Sequence, residues 1–514
     1  MRMLAPALAL YLFLCLPHIG DGFGGFHGAA NEAHYAQLAK SFADDPFSNP
    51  KDIMGREDFN IPPLTTYLVG VSFMAFGAHE AAGRMVMILF GAAAIICTYL
   101  VAKRWFGGQT AGIAALILSA MPMQVMLSRN LQADMPYVAL GLLSVWLYLE
   151  GRKLPAGIAL GLALLAKQQA ALFALGIAAL HLVRGRPVKG LFPLAGIAAL
   201  VYIPYPLYNA IAHPAGFFAG QSSRMALAFS EEGARHGLSM VGLEVYWGLS
   251  PAAAIAFIGG LALALRRKKE GELEAAGFAL GFIAFFIAYN KHGYYILGLA
   301  PFAAMACASA LSAIGDRRVR AAAIILLVLS MAFYSAVMVS AKKYGFDHFR
   351  QLPKRHGPGP AQIVIGKAIW ENSAQAIGFY DPDATVVYSE RVGSGPDGLL
   401  PLNYSTPTYS LIHASEVDLA AMPQVPRAIF ASKAVMREEY SLVLFGFAFK
   451  QPDFNRHFFS LAPISIERVG GPLDTGYIVT GRVPELYMMP VARHQGIYRA
   501  QQGGYSVRDR DYKG

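Results

Sequence analysis

Three side chains in this chain could move a proton or hold an anion next to apolar sequence. Glu32 lies in "HGAANEAHYAQLAK", Asp134 in "SRNLQADMP" and Lys167 in "GLALLAKQQA". A carboxylate near a hydroxyl can act as general base, and an ammonium in a low-dielectric place can stabilise a developing anion. Around them stand Arg129, which shares a short turn with Asp134, Arg84 in "AAGRMVMILFGAA", and Lys291/His292 in "NKHGYYILGLAPF". The combination is chemistry for deprotonating an acceptor while gripping an anionic lipid head. Each residue also has a plainer role open to it. Lys167 could snorkel, Asp134 and Arg129 could form a structural salt bridge, and Glu32 could sit on the solvated face of an amphipathic helix with Tyr35, Leu38 and Ala39 turned inward.

The elements that must position these groups are membrane helices. Of 514 residues, 55% are hydrophobic and 15% charged, with a mean hydropathy of +0.40. Soluble domains carry about a quarter charged residues. Runs such as "AGIAALILSAMPMQVML" and "AAAIILLVLSMAFYSAVMV" approach the roughly 20 apolar residues that a crossing needs. The formal charge of +10 sits in short loops: Lys103/Arg104, Arg152/Lys153, Arg184/Arg186/Lys189, Arg266 to Lys269 and Arg317/Arg318/Arg320. That distribution marks cytoplasmic loops and argues against a nucleic-acid partner.

With those loops inside, the sequence predicts a polytopic α-helical membrane protein of about eleven transmembrane helices. They fall at 3–20, 82–102, 109–127, 134–150, 154–166, 168–183, 189–210, 244–265, 274–290, 294–314 and 320–341. Residues 3–20 are read as an uncleaved anchor, because "CLPHIG" makes a poor cleavage site. The N-terminus is then cytoplasmic. Residues 1–343 form the transmembrane domain, with an outer loop at 21–81, and 344–514 form a small extracytoplasmic mixed α/β domain after the linker "HGPGP". Basic loops flank both ends of 154–183, so the chain must turn at Lys167-Gln168-Gln169. The 154–166 helix is about 20 Å long against a hydrocarbon core of about 30 Å, which sinks Lys167 below the outer surface. Within the first loop, "IPPLTTYLVGVSFMAFG" reads as a short Pro-initiated helix at the membrane surface or half inside it. Cys15, Cys97 and Cys307 all fall in apolar runs and read as small core residues.

The order of motifs resembles the C-type glycosyltransferases, in particular bacterial relatives of the dolichyl-phosphate-mannose protein mannosyltransferases and of the aminoarabinose transferase that modifies lipid A. "NEAHYAQLAK" resembles the acidic first-loop helix of that family. "IPPLTTYL", "AAGRMVMILFGAA", "SRNLQADMP", "GLALLAKQQA" and "HGYYILGLAP" follow in the family's order. The resemblance implies a polyprenyl-phosphate sugar donor in an inner-membrane protein, and a hydroxyl-bearing acceptor that is a protein, lipid A or another envelope glycan or lipid. Transfer would invert the anomeric carbon. Glu32 and Asp134 would be the catalytic carboxylates, and Asn31, Tyr35, Arg84, Arg129, Lys167, His292 and Tyr294 would bind substrate. The family's usual Asp-Glu is Asn31-Glu32 here, which makes Glu32 the base and Asp21 a weaker substitute. A Lys that some relatives carry before Pro-Pro-Leu is replaced by Asn60-Ile61, which shifts phosphate binding toward Lys167. No cofactor is assigned, and a divalent metal stays open. A transporter or lipid flippase is the competing class, but such folds show internal repeats and midplane polar groups. Here the polar residues gather at one end.

Overall fold

The computed structural model describes residues 3–23, 29–53, 55, 57–59, 61–219, 222, 248–288, 293–341, 350, 353, 360–365, 375–388, 408–413, 429–435, 441–444, 447–450, 458–469, 476–480 and 486–490. It divides into two compact units. The first comprises Met1–Gly20, Leu38–Pro50 and Glu57–Lys342, and the second Asp21–Gln37, Lys51–Arg56 and Lys343–Gly514.

The first unit is helical. Its elements are α1 (Leu4–Cys15), α2 (Ala29–Asp44, whose first half belongs to the second unit), α3 (Pro63–Phe76), α4 (Glu80–Phe106) and α5 (Gly108–Ala120). They continue with α6 (Pro122–Ser128), α7 (Asp134–Leu149), α8 (Lys153–Ala166), α9 (Ala171–Val183), α10 (Phe192–Tyr202) and α11 (Pro204–Ala212). Four further helices cover Pro251–Arg267, Glu270–Ala288, Ala300–Ser312 and Arg317–Ala341. Among the described residues, Glu80–Phe106, Val188–Ala212, Glu270–Ala288 and Arg317–Ala336 are long and apolar enough to cross a membrane. The bent pair α5 and α6 makes a fifth if taken as one crossing. The expected crossings at 3–20, 134–150, 154–166, 168–183 and 294–314 are occupied by shorter apolar helices. Pro251–Arg267 fills most of 244–265, whose first residues lie outside the described ones.

Local chemistry explains the boundaries. His79 caps α4 by accepting from the Ala82 N–H, and Gly107 (φ 84°) ends it beside Lys103 and Arg104, cations suited to a helix C-terminus. The expected helix 109–127 is broken. Met121 is extended ahead of Pro122, as a residue before proline prefers, and the axis bends by 59°. Ser250 caps Pro251–Arg267 through the Ala253 N–H. At the start of Arg317–Ala341, the Arg318 and Val319 N–H groups bond Asp316 and hold its carboxyl below the usual range.

Small residues let these helices approach closely. A Cβ at Gly157 would meet the Leu194 carbonyl at 2.6 Å, and one at Gly161 would meet Val201 at 2.6 Å, so one face of α8 lies flush on α10. Phe278 stacks on Phe302 at 4.7 Å, with Phe173 and Phe282 edge-on at 5.2 Å, which closes a buried aromatic core. Large apolar side chains stay exposed on many helices, among them Leu89, Leu200, Ile255 and Leu326, as lipid-facing surfaces require. The three cysteines are buried, and none of them is in a disulfide.

The second unit contains a seven-stranded sheet of order β2-β1-β3-β9-β4-β7-β8. Its strands are β1 (Ala361–Ile365), β2 (Ala384–Tyr388), β3 (Thr408–His413), β4 (Ile429–Val435), β7 (Phe458–Val469), β8 (Gly476–Thr480) and β9 (Leu486–Pro490). β5 (Ser441–Leu444) and β6 (Phe447–Lys450) form a separate hairpin. β1 pairs in parallel with β2 and β3, and the remaining pairs are antiparallel. Two pieces of the first loop belong to this unit. Phe23 packs against Phe379 and Tyr380 at 4.9 and 5.4 Å and donates its N–H to the Tyr380 hydroxyl at 3.1 Å. The Ile53 N–H bonds the Gln375 amide oxygen at 3.0 Å.

The α8–α10 contact yields a prediction. Gly157→Ala should destabilise the protein by about 1–3 kcal/mol, because backbone must move. Gly196→Ala, where a Cβ meets nothing within 4 Å, should be neutral or slightly stabilising. Thermal unfolding of the two variants in detergent checks the contrast.

Candidate active site

The clearest cluster forms where α8 returns to the start of α7. The two helices are joined by a tight turn at Gly151 (φ 77°), and Ser144 bonds the Ala156 carbonyl between them at 2.8 Å. The end of the second therefore lies beside the beginning of the first. α8 stops after 14 residues, Lys167 is extended (φ −158°, ψ 133°), and helical structure resumes at Gln168. The break expected at residues 167–169 is where the helix ends. Lys167 Nζ donates to Asp134 Oδ1 at 2.6 Å and lies 5.8 Å from the centroid of the Tyr137 ring. The two side chains are only 12% and 2% exposed. Asp134 opens α7, where the helix dipole favours an anion.

Asp134 was expected to share its turn with Arg129. The structure gives it Lys167, and Arg129 Nη2 instead donates to the Pro17 carbonyl. Arg84 Nη1 donates to the Ile19 carbonyl at 2.9 Å. Both guanidiniums are buried, and both hold the segment that follows α1. Spacing along the chain could not reveal these long-range partners. The turn between α6 and α7 also buries Asn130 and Gln132, and both Gln132 side-chain polar atoms lack a partner among the described residues. Neither was picked out from the sequence, although both lie inside the "SRNLQADMP" motif.

In the second unit, Glu32 sits in the first turn of α2 and is fully buried. The solvated-face alternative is thereby removed; of the residues expected toward lipid or protein, Leu38 and Ala39, which belong to the first unit, are buried. Asn31, Tyr35 and Asp21 are partly exposed. His292 lies outside the described residues, and Tyr294 falls on the 3-10 turn Gly293–Leu299. Among the described residues, no group of three or more His, Cys, Asp or Glu is gathered as a metal site.

The apolar helices of the first unit carry a buried carboxylate–ammonium pair, and the second unit holds a buried first-loop glutamate, an arrangement that fits an integral membrane protein. Comparison with known proteins narrows the class, and the resemblance seen in the motifs holds. The family model for dolichyl-phosphate-mannose-protein mannosyltransferases matches residues 60–208. The fold is similar to that of ArnT from Cupriavidus metallidurans, solved bound to undecaprenyl phosphate. The TM-score is 0.64 at 17% identity, over 80% of this chain and 92% of that one. The archaeal oligosaccharyltransferase AglB from Archaeoglobus fulgidus, solved with an inhibitory peptide and a dolichol-phosphate, matches with a TM-score of 0.54 at 14% identity. That match covers 80% of this chain and 69% of AglB. An uncharacterized protein of Aquifex aeolicus (strain VF5) is 30% identical over 121 residues, 23% of this chain and about a quarter (24%) of that relative's length.

Opposite charges held out of water are strongly coupled. Removing one partner strands the other, while replacing both together is far milder. Asp134→Ala or Lys167→Met alone should each destabilise by about 3–5 kcal/mol, and the double variant should lose less than the sum. A double-mutant cycle on unfolding midpoints in detergent measures this coupling.

Proposed function

We propose that this protein is an integral membrane glycosyltransferase. It moves a sugar from a polyprenyl-phosphate donor to a hydroxyl-bearing acceptor, a protein, lipid A or another envelope glycan or lipid, on the outer face of the membrane. The observation that carries this reading is the Lys167–Asp134 pair, withdrawn from solvent at the end of a helix of 14 residues. Such a helix spans about 21 Å, short of a hydrocarbon core of about 30 Å, so its terminal ammonium lies at a depth where a lipid phosphate can reach it. The mannosyltransferase family match over residues 60–208 and the ArnT structure with undecaprenyl phosphate support the same donor chemistry.

In this mechanism the acceptor hydroxyl oxygen attacks the anomeric carbon as the bond from that carbon to the phosphate oxygen breaks. The hydroxyl proton passes to Glu32, and the electron pair leaves with the polyprenyl phosphate. Burial and the first turn of α2 fix the Glu32 carboxylate in place, and Asn31 and Tyr35 on the same helix contact substrate. Lys167 stabilises the charge that grows on the phosphate, and Asp134 positions Lys167 until the donor arrives. Arg84 and Arg129 hold the segment after α1, and the family resemblance assigns substrate binding to His292 and Tyr294 as well. The topology consistent with this is about eleven crossings of the inner membrane, a cytoplasmic N-terminus and an extracytoplasmic α/β domain from residue 344.

General-base removal typically costs about 10²–10⁴ in rate. Glu32→Gln and Lys167→Ala should each lower transfer from a radiolabelled polyprenyl-phosphate sugar by about 10² or more. Full activity in both variants, measured in proteoliposomes, would overturn the assignment.

A further inference from the structure

At the end of α8 opposite Lys167, about 21 Å along the helix, two turns of the first unit bring cations together. The turn from α7 to α8 carries Arg152 and Lys153. The turn from α9 to α10, which includes the 3-10 segment Val188–Leu191, carries Arg186 and Lys189. The two turns pack on each other, because a Cβ on Gly190 would meet Lys153 Nζ at 3.4 Å and the His181 ring at 2.9 Å. A directed chain of hydrogen bonds holds the second turn. His181, only 2% exposed, donates from Nε2 to the Pro187 carbonyl at 2.9 Å, so its Nδ1 accepts from the Tyr148 hydroxyl at 2.7 Å. The Tyr148 oxygen accepts in turn from Arg186 Nη1 at 3.5 Å, and that guanidinium lies 6.0 Å from the centroid of the Tyr148 ring.

The charges of these turns are not balanced by the protein. Arg184, in the second turn, bridges Glu274 at 2.7 Å and Glu270 at 3.0 Å. Arg152, Lys153, Arg186 and Lys189 enter no ion pair among the described residues. Glu150, the one carboxylate in the two turns, is exposed and bridges none of them. The neighbouring surface is apolar, with Leu154, Leu182, Val183, Val188 and Phe192 all exposed. We propose that this face binds an anionic phospholipid, with its phosphate among the four cations and its acyl chains along the exposed apolar side chains. Basic groups beside a membrane surface attract anionic head groups, and a guanidinium with one donor on Tyr148 keeps others for phosphate oxygens. The apolar border favours a lipid over a soluble phosphate. The site is separate from Lys167 and does not rest on the transferase reading.

Native mass spectrometry of the full-length protein, delipidated in detergent, tests this with phosphatidylglycerol and phosphatidylcholine of the same acyl chains. The wild type should bind phosphatidylglycerol about tenfold or more tightly than phosphatidylcholine. Arg152→Gln/Lys153→Gln/Lys189→Gln, which leaves Arg186 on Tyr148, should bring the two lipids to within about threefold at an unchanged unfolding midpoint. Lys189→Glu alone, on the exposed turn, should weaken phosphatidylglycerol binding about fivefold or more. Arg266→Gln/Lys268→Gln/Lys269→Gln removes as many charges from a different turn and should keep the preference. Equal binding of both lipids by the wild type would overturn the proposal. So would an unmoved preference in the first triple variant or in Lys189→Glu, or an equal loss in the second triple variant, which would mark bulk charge rather than a site. Full displacement of phosphatidylglycerol by glycerol 3-phosphate would overturn it too, by showing a site for soluble phosphate.

Discussion

An ammonium and a carboxylate 2.6 Å apart, both nearly out of water, are a constraint that much of the helical unit is arranged to satisfy. Neither charge is tolerable alone in so buried a place, because the loss of hydration exceeds what an apolar neighbourhood returns. Each therefore fixes the other. For Lys167 to reach Asp134, α8 must stop after 14 residues and lie alongside α7. The tight turn at Gly151 and the glycine face of α8 on α10 accomplish that. In the proposed mechanism Asp134 takes the place of an anionic ligand until a lipid phosphate exchanges with it.

The two arginines serve the same end of the helical unit through backbone contacts. Arg84 from α4 and Arg129 from the turn before α7 converge on the carbonyls of Ile19 and Pro17, which follow α1. A guanidinium presents several donors in a plane, so it can hold a carbonyl and still offer hydrogen to another group. The first loop begins just beyond this anchor. Its Phe23 and Ile53 bond to residues 375–380 inside the second unit, which ties the loop that carries Glu32 to the C-terminal part of the chain.

Much of this was legible in the sequence, for definite reasons. Apolar runs punctuated by basic loops set the helix order, and conflicting demands at Arg152 and Arg184 exposed the interruption at Lys167. The recessed place of Lys167 followed from the length of the helix before it, whereas position alone favoured a solvated face for Glu32, which the fold buries. What the sequence withheld was partner choice. Asp134 is five residues from Arg129 but bonds Lys167, 33 residues away, because antiparallel packing brings helix ends together and chain distance does not. The kink before Pro122 was written in the residues but hidden by a continuous apolar run. The affinity of the C-terminal segment for Phe23 and Ile53 has no local signature at all.

The central claim is that Lys167 exchanges its bond to Asp134 for a lipid phosphate, and ligand-dependent stability reads this directly. Ligands that bind the folded state raise its unfolding midpoint in proportion to occupancy. Unfolding midpoints of the wild type and of Lys167→Met should be measured in detergent with polyprenyl phosphate and, as control, with the uncharged polyprenol. The account predicts a rise with the phosphate, none with the alcohol, and little or no rise in the variant. Equal stabilisation of both proteins by polyprenyl phosphate would contradict it.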